Sequence, residues 1–64
     1  MKVNKIRNII EKEYFEIFEE ETGKCLAVHR NHRLCGKIFK EFGECKITDC
    51  DKDYGIIRIY IKTK

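Results

Sequence analysis

The chain has 64 residues and a net charge of +3 at pH 7, and 42% of its residues are hydrophobic while 39% are charged. That length permits one small domain, and the content of large aliphatic residues excludes an intrinsically disordered chain. The longest apolar run, Cys25 to Val28, has four residues. Such a run is too short for a membrane-spanning helix or a secretory signal, so we expect a cytoplasmic protein without a membrane partner.

The N-terminal third of the chain has two interpretations. In residues 1–12 the apolar residues Val3, Ile6, Ile9 and Ile10 lie on one helical face, which predicts a short helix. Extending it over residues 3–20 would give an α-β-α-β-β chain with a three-stranded sheet. Such a helix would carry lysines at its N-terminus and glutamates at its C-terminus, the reverse of what the helix dipole favours.

We therefore favour a β-hairpin after residue 13. Residues 14–18 and 25–29 are rich in aromatic and β-branched side chains, which are typical of strands. The intervening Glu21-Thr-Gly-Lys24 resembles a type I turn followed by a glycine bulge, a common connection between two antiparallel strands.

Residues 31–43 predict an amphipathic helix. Asn31 suits the N-cap and Gly43 suits the left-handed position after the last turn. The predicted apolar face consists of Leu34, Cys35, Ile38 and Phe42. Basic residues lie on the opposite side, namely Arg33, Lys37 and Lys40.

Residues 44–50 and 56–62 alternate with period two around a turn-forming loop at residues 51–55, which predicts a second hairpin. The chain is then a single α+β domain, residues 1–64: a short N-terminal helix, then β-β-α-β-β, with an antiparallel sheet and helix 31–43 across one face. This order resembles that of the small immunoglobulin-binding domains of bacteria at the level of topology.

Strand parity assigns two faces to the sheet. Toward the helix we expect Leu26, Val28, Ile47, Ile57, Ile59 and Ile61. On the far face we expect Ala27, His29, Lys46, Thr48, Ile56, Arg58 and Tyr60. Because this far face mixes apolar and polar residues, we expect a partial cover, either the N-terminal stripe Val3, Ile6 and Ile10 or a second copy of the chain.

The cysteines and histidines do not predict a metal site or any cofactor. Cys25 and His29 would lie about 13 Å apart on one strand, too far to share an ion. Parity is compatible with disulfides Cys35–Cys45 and Cys25–Cys50, but we expect four free thiols that pack as small hydrophobic side chains. Disulfides would fit a hyperthermophile, whose proteins show this abundance of lysine and glutamate, but an AT-rich genome produces the same bias.

The chain also lacks the marks of an enzyme. It has no serine, no glycine-rich phosphate loop, and no cysteine–histidine pair with an orienting third group. A chain of this length has little material for both a core and a deep pocket. We therefore predict no catalytic residues.

Charge is unevenly distributed along the chain. Six glutamates against Lys12 give residues 11–21 a net charge of −5, whereas five cations against Glu41 give residues 24–42 a net charge of +4. Clustered cations predict a module that binds DNA or RNA phosphates, with far-face residues adding base stacking. The predicted nucleic-acid-binding residues are Arg30, Arg33, Lys37, Lys40, Arg58 and Tyr60. The alternative is a protein-interaction module, such as a small inhibitor or adaptor, or a homodimer.

Overall fold

The computed structural model describes residues 1–30 and 35–63, except for the side chain of Cys35. The helical elements are a 3₁₀ turn at Val3–Ile6, helix α1 at Arg7–Ile10 and helix α2 at Cys35–Phe42. The strands are β1 at Tyr14–Glu19, β2 at Cys25–His29, β3 at Lys46–Asp53 and β4 at Ile56–Lys62. The predicted α+β class and the order of its elements are confirmed. The predicted N-cap Asn31 lies outside the described residues.

The four strands form one sheet in the order β2-β1-β4-β3. Each hairpin is antiparallel, as predicted, but the two central strands β1 and β4 are parallel, so the sheet is mixed. The reason is that α2 leads the chain back to the end of the sheet where β2 began. β3 therefore runs in the same direction as β2, and β4 returns in the direction of β1.

The structure has a hairpin after residue 13 and not a helix over residues 3–20. Helical structure ends at Ile10, where the carbonyl oxygen accepts a hydrogen bond from the amide of Glu13 at 2.9 Å. Gly23 in the connection has φ of 73°, the left-handed conformation predicted for a glycine bulge.

The second hairpin is tighter than the predicted five-residue loop. β3 runs to Asp53, which pairs with Ile56, so only Tyr54 and Gly55 form the turn. Both have positive φ, 51° and 77°, which is the pattern of a type I′ turn. The twist of this turn matches that of the flanking strands, and the strands are therefore longer than the sequence pattern indicated.

A single core lies between the sheet and the helices. Its buried members are Val3, Ile10, Phe15, Ile17, Phe39, Ile59 and Ile61. The N-terminal residues Val3 and Ile10 thus pack on the same side of the sheet as α2. The expectation that the N-terminal stripe covers the far face is wrong, because those side chains complete the core instead.

Helix α2 is rotated relative to the predicted apolar face. Phe39 is its buried residue, 3% exposed, while Ile38 and Phe42 are only partly buried. Gly43 does not have positive φ. Its backbone passes so close to Asn4 that an added Cβ would overlap the Asn4 side chain and the carbonyl oxygen of Phe39. Close packing rather than a left-handed conformation therefore accounts for this glycine.

The predicted assignment of side chains to the two faces of the sheet is confirmed in β4 and wrong in β2. The pairing of β1 with β2 changes register between Ile17 and Phe18. Ile17 pairs with Ala27 but Phe18 pairs with Cys25, so Leu26 is an extra residue in β2. His29 is consequently buried opposite Phe15, whereas Val28 is 47% exposed. A bulge inverts the alternation of a strand, and period-two reasoning has no means of locating it.

A second irregularity in β3, between Ile47 and Asp49, places Cys50 opposite Ile59 rather than on the far face. Cys25 and Cys50 lie on the two outer strands, about 14 Å apart across three strand spacings. A disulfide requires Cα atoms within about 7 Å, so the Cys25–Cys50 bridge that strand parity allowed does not form. Cys25, Cys45 and Cys50 are free thiols in the structure.

Candidate interaction surface

The predicted nucleic-acid-binding residues do not share one surface. Lys37 and Lys40 are exposed on α2, on the side of the sheet that carries the core. Arg58 and Tyr60 belong to β4 and alternate with the buried Ile59 and Ile61, so they lie on the opposite face. Arg30 follows β2, and Arg33 lies outside the described residues.

The sheet face opposite α2 is the larger candidate surface, and we call it the open sheet face. Within residues 1–30 and 35–63, both helices pack on the other side of the sheet. The open sheet face is formed by Tyr14, Glu16, Phe18, Val28, Ile56, Arg58, Tyr60, Asp49, Asp51 and Asp53.

The open sheet face carries a stacked aromatic pair toward one end of its central strands. Phe18 and Tyr60 are direct neighbours on the parallel strands β1 and β4, and their rings stack with centroids 5.3 Å apart. Val28, diagonal to Phe18, is 47% exposed, and Tyr14, four residues before Phe18 on β1, is 55% exposed. Sequence reasoning found Tyr60 but missed the β1 residues. The available signal was the parity of β1, in which Tyr14 and Phe18 alternate with the buried Phe15 and Ile17.

The arginines on this face are engaged in ion pairs. Arg58 donates two hydrogen bonds to the Asp51 carboxylate, at 2.8 and 3.2 Å, and its guanidinium lies 3.9 Å from Asp53. The hydrogen bond and the negative charge of Asp51 raise the pKa of Arg58. Arg30 lies 3.7 Å from the Glu16 carboxylate. These cations are therefore compensated within the chain itself.

This compensation matters for phosphate binding. Asp49, Asp51 and Asp53 follow one another on β3 beside Arg58, and a polyanion approaching Arg58 meets three carboxylates. Phosphate contacts depend on cations that are free to displace counterions. The described cations of the open sheet face are therefore already engaged by carboxylates.

The outward side of α2 differs from the open sheet face in the ion pairing of its cations. Lys37 and Lys40 are exposed, and neither forms an ion pair with another described residue. Glu41 is the neighbouring exposed carboxylate. The described part of this basic face thus carries two cations, fewer than the predicted cluster of four.

The surroundings of His29 and Cys50 are those of residues with a structural role. The His29 ring stacks on Phe15 at 4.5 Å, and its Nδ1 lies 2.9 Å from the carbonyl oxygen of Glu13. Burial, together with the charges of Asp51 and Asp49, raises the pKa of the Cys50 thiol. Among the residues that the structure describes, no three histidine, cysteine or acidic side chains are placed to hold a metal ion.

Concave sites are shallow and lie away from the open sheet face. One depression of about 430 Å³ is lined by Glu19, Glu20, Glu21, Ile61, Lys62 and Thr63. Its Glu19 carboxylate accepts hydrogen bonds from the hydroxyls of Thr22 and Thr63, at 2.7 and 2.8 Å. The carboxylate oxygens are thus engaged in holding two chain segments together.

Comparison with protein-family models, with curated proteins and with solved structures finds no match for this chain. No helix in the described part of the chain is long and apolar enough to cross a membrane.

Proposed function

We propose that this domain is a non-enzymatic protein-interaction module that works through the open sheet face. The observation that carries the proposal is an aromatic pair, Phe18 stacked on Tyr60, on a face that no described element covers. In a domain with a buried core elsewhere, exposed Tyr14 and Val28 add to an apolar patch that a partner would remove from water.

The charges around this patch favour burial against protein. Burying a lone charge is costly, whereas an arginine that already has carboxylate partners brings its own compensation. Arg58 and Arg30 both meet that condition through Asp51 and Glu16. Tyrosine and arginine are also the residues most enriched at energetically important positions of protein interfaces.

Nucleic-acid binding through α2 is the second candidate. It is supported by Lys37 and Lys40, which are exposed and form no ion pair within the described residues. Two phosphate contacts predict a slope of log K against log[salt] of about −1.4 to −1.8. A slope of about −3 to −4 would require the additional engagement of Arg30 and Arg33.

One capture experiment separates the two candidates. The bait is the whole chain, compared with a face variant, Tyr14→Glu with Val28→Lys, and a helix variant, Lys37→Glu with Lys40→Glu. Each face substitution lies beside an opposite charge, Arg30 or Glu16, so the fold should tolerate it. Melting temperatures within a few degrees of the original chain are the control for folding.

The proposal expects a bound protein, whether another protein or untagged copies of this chain, that is retained by the helix variant and lost by the face variant. Binding that is lost by the helix variant, retained by the face variant and sensitive to nuclease supports the nucleic-acid candidate instead. Capture that is identical for the original chain and the face variant contradicts the proposed role of the open sheet face.

A further inference from the structure

We propose that the partner on the open sheet face is a second copy of this chain, packed face to face about a two-fold axis parallel to β1 and β4. This inference rests on the proposed function and specifies its partner. It is carried by the arrangement of charge and aromatic residues across the four strands, in which one half of the face complements the other.

The registers align the face into three rows that run from β2 across β1 and β4 to β3. The first row reads Arg30, Tyr14, Ile56 and Asp53, the second Val28, Glu16, Arg58 and Asp51, and the third Cys25, Phe18, Tyr60 and Asp49. Arg30 joins the first row because it directly follows His29, the residue opposite Phe15.

A two-fold axis lying between β1 and β4 exchanges the two halves of every row. It places β1 of one copy over β4 of the other, and β2 over β3. Glu16 then faces Arg58 of the second copy, and Phe18 faces its Tyr60. At the ends of the first row, Arg30 faces Asp53. Opposite charges and aromatic rings therefore meet twice, once on each side of the axis.

The competing two-fold axis, perpendicular to the strands, is disfavoured by the same rows. It would place Glu16 over Glu16 and Arg58 over Arg58 of the second copy, and Asp53 over Asp49. Like charges opposed across an interface cost affinity and select against that orientation. The charge pattern thus favours the axis parallel to the strands, and this arrangement keeps the strands of the two copies aligned, as either axis would.

The size of the face predicts a weak dimer. Four strands at about 4.8 Å spacing and six residues of about 3.3 Å each give a footprint of roughly 400 Å² per copy. That is below the roughly 800 Å² per partner of a standard stable interface. Association should therefore depend on concentration.

The test is sedimentation equilibrium from about 10 µM to about 1 mM, covering the range of weak association. For the original chain we expect the mass to rise from 7.7 kDa toward twice that value. Arg30→Glu and Asp53→Lys, made separately, each create two like-charge contacts and should weaken the dimer about tenfold or more. Both side chains are at least half exposed, so the fold should persist.

The decisive sample is an equimolar mixture of these two variants. In a mixed dimer Glu at position 30 faces Lys at position 53, and the original Arg30 faces the original Asp53. We expect the mixture to recover dimer that neither variant forms alone. The helix variant, Lys37→Glu with Lys40→Glu, is the matched control and should associate like the original chain.

A monomeric mass for the original chain at every concentration overturns this inference. So does an unrecovered mixture of two variants that melt like the original chain. If either variant melts at a lower temperature, Val28→Glu, which places a carboxylate opposite Asp51 of the second copy, replaces it and must weaken association. A monomeric chain whose face variant still loses another bound protein would leave the proposed function standing with a different partner.

Discussion

Truncation of two adjacent residues of α2 tests how this helix is docked. Phe39 is 3% exposed, its ring centroid lies 5.7 Å from that of Phe15, and the Arg7 guanidinium lies 4.8 Å above it. Phe39→Ala should cost about 3–5 kcal/mol, as buried aromatic truncations do. A 64-residue domain has about 3–10 kcal/mol of stability, so Phe39→Ala should remove between about a third of it and all of it.

Ile38→Ala should cost much less, because its side chain is only partly buried. The substitution removes three carbon groups, worth about 0.8 kcal/mol each when fully buried, so half burial gives about 1 kcal/mol. Urea denaturation followed by circular dichroism measures both costs, and a slope near 1 kcal/mol/M would lower the Ile38→Ala midpoint by about 1 M. Ile9→Ala, at a side chain 68% exposed, is the matched control and should change stability by less than about 0.5 kcal/mol.

A larger cost for Ile38→Ala than for Phe39→Ala would refute this docking. The helix would then present a different face to the core. Lys37 and Lys40 would then no longer point outward from α2.

Three further substitutions test local features of the fold. Tyr54→Asn should stabilise the domain by up to about 1 kcal/mol, because asparagine adopts positive φ more readily in a type I′ turn, and a lower melting temperature would contradict this. Gly43→Ala should destabilise the domain through steric overlap, and an unchanged urea midpoint would show that the close approach is absent. Hydrogen bonds from Thr22 and then Thr63 lower the pKa of Glu19. That carboxylate therefore stabilises the fold above its unfolded pKa of about 4.3, and the contribution is lost as pH falls through the lower folded value. Glu19→Gln should consequently lose less melting temperature between pH 7 and pH 3 than the original chain, and equal losses would contradict the assignment.

The fold could be predicted from sequence wherever one physical signal dominated. Alternation in residues 56–62 identified β4 and its buried face, because every second residue there is isoleucine. Gly23 marked the first turn through the conformation that it permits. The parallel pairing of β1 and β4 could not be predicted in this way, since it depends on the path of the chain over the sheet rather than on any local pattern.

The candidate surface was less predictable, because it depends on strand register. Two bulges moved Val28 outward and His29 and Cys50 to the core side, and a bulge leaves no clear mark in the composition of a strand. The ion pairs of this surface could not be predicted from the sequence either. Arg58 was identified from the sequence as a cation, but its carboxylate partner Asp51 is its neighbour only through the pairing of β3 with β4.

We propose the open sheet face as the interaction surface of this domain, and its accessibility to a solute is the most direct test. Paramagnetic relaxation of protons by a soluble gadolinium chelate measures this directly, residue by residue, in dilute and in concentrated protein. We predict strong relaxation of the Val28 methyls and the Tyr14 ring in dilute solution, and protection of both in concentrated solution. Lys37 and Lys40 should stay equally accessible in both samples. Protection that appears on α2 while the Val28 and Tyr14 protons remain accessible would contradict the claim.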